Sequence, residues 1–228
     1  MSLKIVVMSC DKNKDLWFPF YHCMEKYWKD HPEIIYSTEE LTNKYYKTIK
    51  GNFIVNKWTD RLLYTIKALN CDNVLVMVDD IFIRECVDNE LILSLQQYIN
   101  DNVASINLEK CFDPNDKPFN DLLMQRSMLG RYKTSVMCNM FSREKLIKIL
   151  KNIHTDPWEF EKINNHMNFT YLIARKKGFL NFGYEERNWF GIRKGKWCLE
   201  TRDFFNKEGI EIDYSIRGFY KWEFIYVH

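Results

Sequence analysis

The sequence predicts an α/β fold: a mixed, mostly parallel central sheet flanked by helices. Three observations carry this. Val74–Val78 is a continuous run of apolar, largely β-branched residues, the pattern of a central strand covered on both faces. Stretches with a helical period lie between the strand-like runs. The two kinds of segment alternate along the chain, which argues for a sheet sandwiched between helices. With 228 residues, 46% of them hydrophobic, the chain can bury one large core.

Leu3–Ser9 reads as a first buried strand ending in Ser9-Cys10-Asp11. Pro19 suits a helix opening, and Phe20, Cys23, Met24, Tyr27 and Trp28 fall on one helical face before Pro32 stops it. Ile34-Ile35-Tyr36 follows as a second strand. Trp58, Leu62, Thr65, Ile66 and Leu69 form another helical stripe, which leads into the central run and its abrupt end at Asp79-Asp80.

Beyond it, Ile92, Leu95, Tyr98 and Ile99 predict a helix, and Val103–Ile106 a strand. Residues 111–130, with Pro114, Pro118 and Gly130, read as a loop or lid. Ser135–Phe141 reads as a strand, and Leu146, Ile149, Leu150 and Ile153 as the helix after it. Asp156-Pro157-Trp158-Glu159 has the form of a helix start, with a cap, a proline at the first helical position and an acid at the capping-box position. The helical pattern is expected to run from there, with a break, to Gly178. From Phe179 the tail reads as strand and loop segments. No repeat or linker interrupts the chain, so one domain is expected over 1–228, divided near residue 110 into halves 1–110 and 111–228.

Charge narrows the function classes. Lys and Arg number 33 against 31 Asp and Glu, a net +2 with the signs interspersed, which does not predict nucleic-acid binding. The seven cysteines are scattered without C-x-x-C, so neither a disulfide framework nor a zinc site is expected. No apolar run approaches the roughly 20 residues of a membrane span, and the N-terminus lacks a signal-peptide pattern; a cytoplasmic protein is the expectation. Walker-type, G-x-S-x-G and G-x-G-x-x-G motifs are absent from the sequence, which lowers P-loop, hydrolase and dinucleotide readings.

In open α/β sheets ligands bind beyond the carboxyl ends of the strands. Two such ends here carry acids, Asp11 and the Asp79-Asp80 pair. A carboxylate there can hold a divalent cation that neutralises a diphosphate; the plain alternative is an acid that ends a strand and begins a turn.

Four segments carry a resemblance. Val78-Asp79-Asp80-Ile81-Phe82 resembles the acidic signature of GT-A glycosyltransferases in a D-D-x-F form. Trp58-Thr59-Asp60-Arg61-Leu62 resembles the W-S-D-R-L segment of a family of small bacterial glycosyltransferase-like proteins. Asp156-Pro157-Trp158-Glu159-Phe160-Glu161 resembles its P-W-E-F-E segment, and Gly195-Lys196-Trp197 its G-K-W. The four keep the family's order and span most of the chain.

The resemblance implies a GT-A-like domain that transfers a sugar from a nucleotide-sugar donor to the hydroxyl of a glycan or lipid-linked acceptor. It further implies surface polysaccharide or glycan synthesis, with Mn²⁺ or Mg²⁺ and association with a membrane surface. In this reading residues 1–110 bind the donor and 111–228 face the acceptor. Asp80 and Asp79 are the expected metal ligands. Because adjacent strand residues point apart, Asp80 alone reaches the metal in one version, and Asp79 orients the donor.

Asp11, Asp60, Arg61 and Lys196 are the other expected donor contacts. For Asp60 and Arg61 the alternative is a capping acid and a surface ion pair. Arg193, Lys194 and Lys196 suggest a flexible cationic loop closing on the diphosphate, or simply a solvated charge run. Glu161 is preferred as the base that takes the acceptor's proton, with Glu159 second because the capping box already explains it. Trp158 suits an acceptor floor or a core position, and His154 and His166 have no motif. A non-catalytic sugar- or nucleotide-binding module stays open as the alternative. A nucleotidyltransferase ranks lower, because Ser9–Lys14 lacks the glycines that such a loop needs.

Overall fold

The computed structural model describes residues 1–51, 57–109, 113–127, 132–163, 168–175, 178–180, 182 and 191–221. The first half alternates as expected. Strand β1 (Leu3–Met8) is followed by a 3₁₀ turn over Asp11–Leu16 and helix α1 (Trp17–Tyr27). Strands β2 (Ile34–Thr38) and β3 (Lys47–Lys50) precede helix α2 (Trp58–Lys67) and strand β4 (Asn73–Val78).

Helix α3 (Asn89–Ser94), capped by Asp88, runs into a 3₁₀ turn and strand β5 (Val103–Asn107). Strands β6 (Lys117–Pro118) and β7 (Leu123–Gln125) are short. Strand β8 (Asn139–Ser142) leads into helix α4 (Arg143–Leu150), whose cap is Ser142. Helix α5 (Pro157–Lys162), strand β9 (Thr170–Ala174), the hairpin β10 (Ile192–Arg193) and β11 (Lys196–Trp197), and helix α6 (Leu199–Glu208) complete the order.

Nine strands form one sheet in the order β3-β2-β1-β4-β8-β5-β9-β7-β6. All except β7 and β8 point the same way. The run at 74–78 is indeed central and covered on both faces. Leu75 and Met77 join the core beneath α1, α3 and α6, while Val74 and Val76 join the core beneath α2, α4 and α5. Every residue from Val74 to Met77 is fully buried, and burying such a side chain stabilises by about 1.5–3 kcal/mol.

Four expectations are corrected. The helix that opens at Pro157 ends at Lys162, and strand β9 occupies 170–174, so no helix runs on to Gly178. Thr170-Tyr171-Leu172-Ile173-Ala174 is apolar and rich in β-branched and aromatic residues, so it pairs beside β5 and β7. The strand expected over 135–141 begins only at Asn139, because Cys138 has φ 52° and breaks the extended run. The tail contains helix α6, closed by Gly209 at φ 68°. The described part of the expected loop at 111–130 contains β6 and β7, and Gly130 falls outside the described residues.

Candidate functional site

The carboxyl ends of β1 and β4 lie side by side, since Met8 pairs with Val78. Ser9 and Asp79 therefore leave the sheet together, and the Ser9 hydroxyl donates to Asp79 Oδ2 at 2.5 Å. Trp17 Nε1 donates to the same hydroxyl at 2.8 Å, which leaves its proton for Asp79. Asn13 Nδ2 donates to Asp79 Oδ1 at 3.0 Å. Both oxygens of Asp79 thus accept a hydrogen bond from the protein.

Asp79 is only 2% exposed, and burial, helped by the neighbouring charge of Asp80, pushes its pKa up to about 7 against those two hydrogen bonds. Asp80 keeps some solvent contact. Desolvation by the surrounding protein raises it to about 6, opposed by its own backbone N–H and by the positive charge of Arg217. Among the described residues no side chain donates a hydrogen bond to Asp80.

Two later segments fasten this corner. The Gly191 N–H donates to the Asp80 carbonyl at 2.8 Å, and Gly191 accepts from the Cys198 N–H. The β10–β11 hairpin thereby lies against the β4 end, with Trp197 and Phe82 stacked 6.3 Å apart. The expected flexible cationic loop is the tight turn of this hairpin. Lys194 and Gly195 both have positive φ, 49° and 77°, as a two-residue hairpin turn requires. Lys196 is exposed, and Lys194 and Arg193 approach the Tyr220 ring. The second segment brings Arg217, which donates to Asp15, to the Lys12 carbonyl and to Asn13 Oδ1.

The other expected donor residues take varied places. The carboxylate of Asp11 accepts from the backbone N–H groups of Glu40 and Leu41, tying the end of β1 to the loop after β2. Arg61 is buried rather than on the surface. It donates to the Ser9 carbonyl and to Glu39, so it braces the strand end that presents Ser9. Asp60 turns away to His154, whose Nδ1 lies 2.7 Å from its Oδ1. The Cys10 thiol is raised to about 11 by burial and by Asp79.

The two glutamates separate cleanly. Asp156 caps α5 by accepting from the Glu159 N–H at 2.8 Å. The Glu159 side chain is exposed and pairs with Lys162 at 2.7 Å rather than closing the capping box. Glu161 is drawn inward, where one carboxylate oxygen accepts from the Val136 N–H and the Ser135 hydroxyl, both at 2.9 Å. Burial raises its pKa in spite of those two bonds.

Register relates Glu161 to the acidic pair. Asn139 of β8 pairs antiparallel with Val76 of β4. Val136 lies three residues before the one and Asp79 three after the other, so both leave the sheet at the same edge. The Ser135–Glu161 bond was not legible beforehand, because nothing in Ser135 marks it out. Trp158 is 71% exposed, which excludes the core position, and His166 lies outside the described residues.

A divalent ion's fit can be judged from these donors. Among the described residues no cluster of three or more His, Cys, Asp or Glu could hold a metal alone. A site of one free carboxylate, Asp80, does suit Mg²⁺ or Mn²⁺ when substrate phosphates and water supply the remaining oxygens. Asp79, buried and hydrogen-bonded by Ser9 and Asn13, suits a supporting place.

No family model matches the chain, and no curated protein matches it in sequence. Solved structures do resemble it. Staphylococcus aureus TarS 1–349 in complex with UDP-GlcNAc aligns over 91% of this chain and 65% of that one, at 12% identity and TM-score 0.51. Another structure of TarS 1–349 aligns over 76% and 57%, at 11% identity and TM-score 0.49. A cytidylyltransferase from Leptospira borgpetersenii aligns over 98% and 100%, at 12% identity and TM-score 0.46. The chain spans 57% to 65% of TarS 1–349. The fold is α/β and GT-A-like, a mixed and mostly parallel sheet between helices. Among the described residues no helix is long and apolar enough to cross a membrane.

Proposed function

We propose that this protein is a glycosyltransferase that moves a sugar from a nucleotide-sugar donor to an acceptor hydroxyl of a glycan or lipid-linked molecule, in surface polysaccharide or glycan synthesis. The observation that carries this reading is the Asp80 carboxylate, which has no side-chain donor among the described residues, beside the hydrogen-bonded Asp79 at the carboxyl end of the central strand. The four motif segments resembling the bacterial glycosyltransferase-like family support it, as does the fold shared with TarS in its UDP-GlcNAc complex.

In this reading Asp80 would hold Mg²⁺ or Mn²⁺, which would supply positive charge to offset that of a diphosphate. Asp79 keeps the strand end rigid and its charge near the donor. Ser9, Asn13 and Arg61 hold that corner in place. Asp11 and Asp60 lie at its margins, and Lys196 is an exposed cation within reach of solvent-borne phosphate.

Glu161 takes the proton of the acceptor hydroxyl onto its carboxylate. A base works best when its pKa approaches the working pH, and burial moves Glu161 in that direction. Glu159, exposed and paired with Lys162, is the weaker candidate. Residues 1–110 form the donor-binding half, joined by the hairpin and Arg217 from the acceptor half. A cytoplasmic place, with the protein meeting its acceptor at a membrane surface, completes the proposal.

The test is thermal stability with nucleoside diphosphates and sugar nucleotides, each with and without Mn²⁺ or Mg²⁺. A ligand bound only by the native state at about 100 times its dissociation constant stabilises by about 2.7 kcal/mol. A metal-enhanced rise with one nucleotide, followed by sugar transfer from that donor, is the expected result. Binding without transfer to any acceptor would favour a non-catalytic module, and no binding across the panel would overturn the reading.

A further inference from the structure

Among the described residues Arg217 is the last charged group in sequence to reach the acidic corner, and no motif singles it out. Its guanidinium lies along the 3₁₀ turn after β1. Nε and Nη2 donate to the two Asp15 oxygens at 2.7 and 2.6 Å, and Nη2 also donates to the Lys12 carbonyl and to Asn13 Oδ1, each at 3.0 Å. The Arg217 and Asp15 side chains are 9% and 12% exposed, so the fork is shielded from water and held by a bidentate pair.

The contact with Asn13 has a directional consequence. A side-chain amide has one accepting and one donating end. A guanidinium only donates, so it must face the oxygen of Asn13. The nitrogen of Asn13 is then turned the other way, where it donates to Asp79 Oδ1 at 3.0 Å. With the amide reversed, two donors would meet at Arg217, and an oxygen would meet the carboxylate. Arg217 thus fixes an orientation that Asp79 depends on without touching Asp79 itself.

We infer that Arg217 is a positioning residue of the candidate site, acting through the amide of Asn13 to hold Asp79 and, with it, the strand end that presents Asp80. Its importance for ligand binding rests on the reading of Asp79 and Asp80 as the ligand site; its effect on Asn13 does not. Asp15 serves as its anchor, and the segment after α6 carries it. The hydrogen bonds from the Trp197 N–H to the Gly218 carbonyl and from the Tyr220 N–H to the Trp197 carbonyl hold that segment against the hairpin.

The experiment compares wild type with Arg217→Gln, Asn13→Ala, the double variant and Asp15→Asn. The first readout needs no ligand: the side-chain amide resonances of Asn13 in ¹⁵N spectra. Arg217→Gln is expected to move them and speed their exchange with water, while thermal unfolding stays cooperative. Asp15→Asn is expected to move them less. The second readout is the affinity for the nucleotide that wild type binds best with Mn²⁺. Each of Arg217→Gln and Asn13→Ala is expected to weaken it by about tenfold, and the double variant no more than either alone.

Unmoved amide resonances in Arg217→Gln, or losses that multiply in the double variant, would overturn the inference. So would equal effects of Asp15→Asn and Arg217→Gln combined with none from Asn13→Ala, because that pattern means plain anchoring of the segment. If Arg217→Gln does not fold, Arg217→Lys keeps the charge and one contact to Asp15 and takes its place. If wild type binds no nucleotide, the functional reading fails, and the Asn13 resonances still decide the positioning role.

Discussion

Gly191 and Phe82 are packed so closely that a Cβ added at Gly191 would fall 2.1 Å from Phe82 Cε2 and 2.9 Å from the Asp80 carbonyl oxygen. The hairpin can approach the acidic strand end only because residue 191 has no side chain. Gly191→Ala should force Phe82 out of its place against Trp197 and Phe205 and lengthen the bond to the Asp80 carbonyl. Overpacking of this kind costs about 1–3 kcal/mol. Urea unfolding should show that loss, and any nucleotide affinity should fall with it.

Asp80→Asn should separate binding from folding. The side chain carries no structural hydrogen bond to another described side chain, so the variant should fold as wild type does. Because burial holds the native Asp80 pKa at about 6, above the ordinary carboxylate value, the variant should be more stable than wild type at pH 8 without metal. It should lose the metal-dependent part of nucleotide binding. A melting rise with nucleotide that remains equally metal-enhanced in Asp80→Asn would remove Asp80 as the ligand.

Asp79→Asn should change the pH dependence of stability. Burial and Asp80 hold the native pKa near 7, above the ordinary carboxylate value of about 3.9. Between those values the native chain binds more protons than the unfolded one. Asp79 therefore makes stability fall as pH rises through that window, and the loss levels off above about pH 7. The variant lacks this dependence. Relative to wild type it should gain roughly 1 to 3 kcal/mol between pH 4 and pH 8 without metal. Unfolding at both pH values measures this, and an unchanged difference would refute it.

Glu161→Gln and Glu159→Gln should differ in kind. The amide oxygen of glutamine can still accept from Val136 and Ser135, so Glu161→Gln should keep the fold. As a lost general base it should lower kcat by about 10²–10⁴-fold with little change in donor affinity. Glu159→Gln removes only an exposed, solvent-screened pair with Lys162 and should leave kcat within about twofold. Turnover once a donor is known decides it, and equal effects of the two would set aside Glu161 as the base.

The parts of the fold that sequence made legible are those where one residue's neighbours in sequence are also its neighbours in space. The run at 74–78 and the stripe of α2 declare themselves by period. Strand β3, exposed or half-buried along its length, has no such pattern and becomes a strand only because β2 offers an edge. The Leu199–Glu208 helix is masked in the same way, with few buried positions and many charges.

At the site, strand-end acids were readable because strand ends are. The burial of Arg61, the pairing of Asp60 with His154 and the Ser135–Glu161 bond were not. Each depends on contacts between segments far apart in the chain, which local spacing does not encode.

The bond between Arg217 and Asp15 joins residues 202 positions apart. A chain made from its N-terminus lays down β1, α1 and β4 early, and those pairings close over modest loops. The amide of Asn13 gains its fixed orientation only when the far end arrives, and closing so long a loop is slow. The strand ends that carry Asp79 and Asp80 can thus be in register well before the corner around them is complete. A partly synthesised or partly folded chain would have the shape of the sheet without a finished acidic corner.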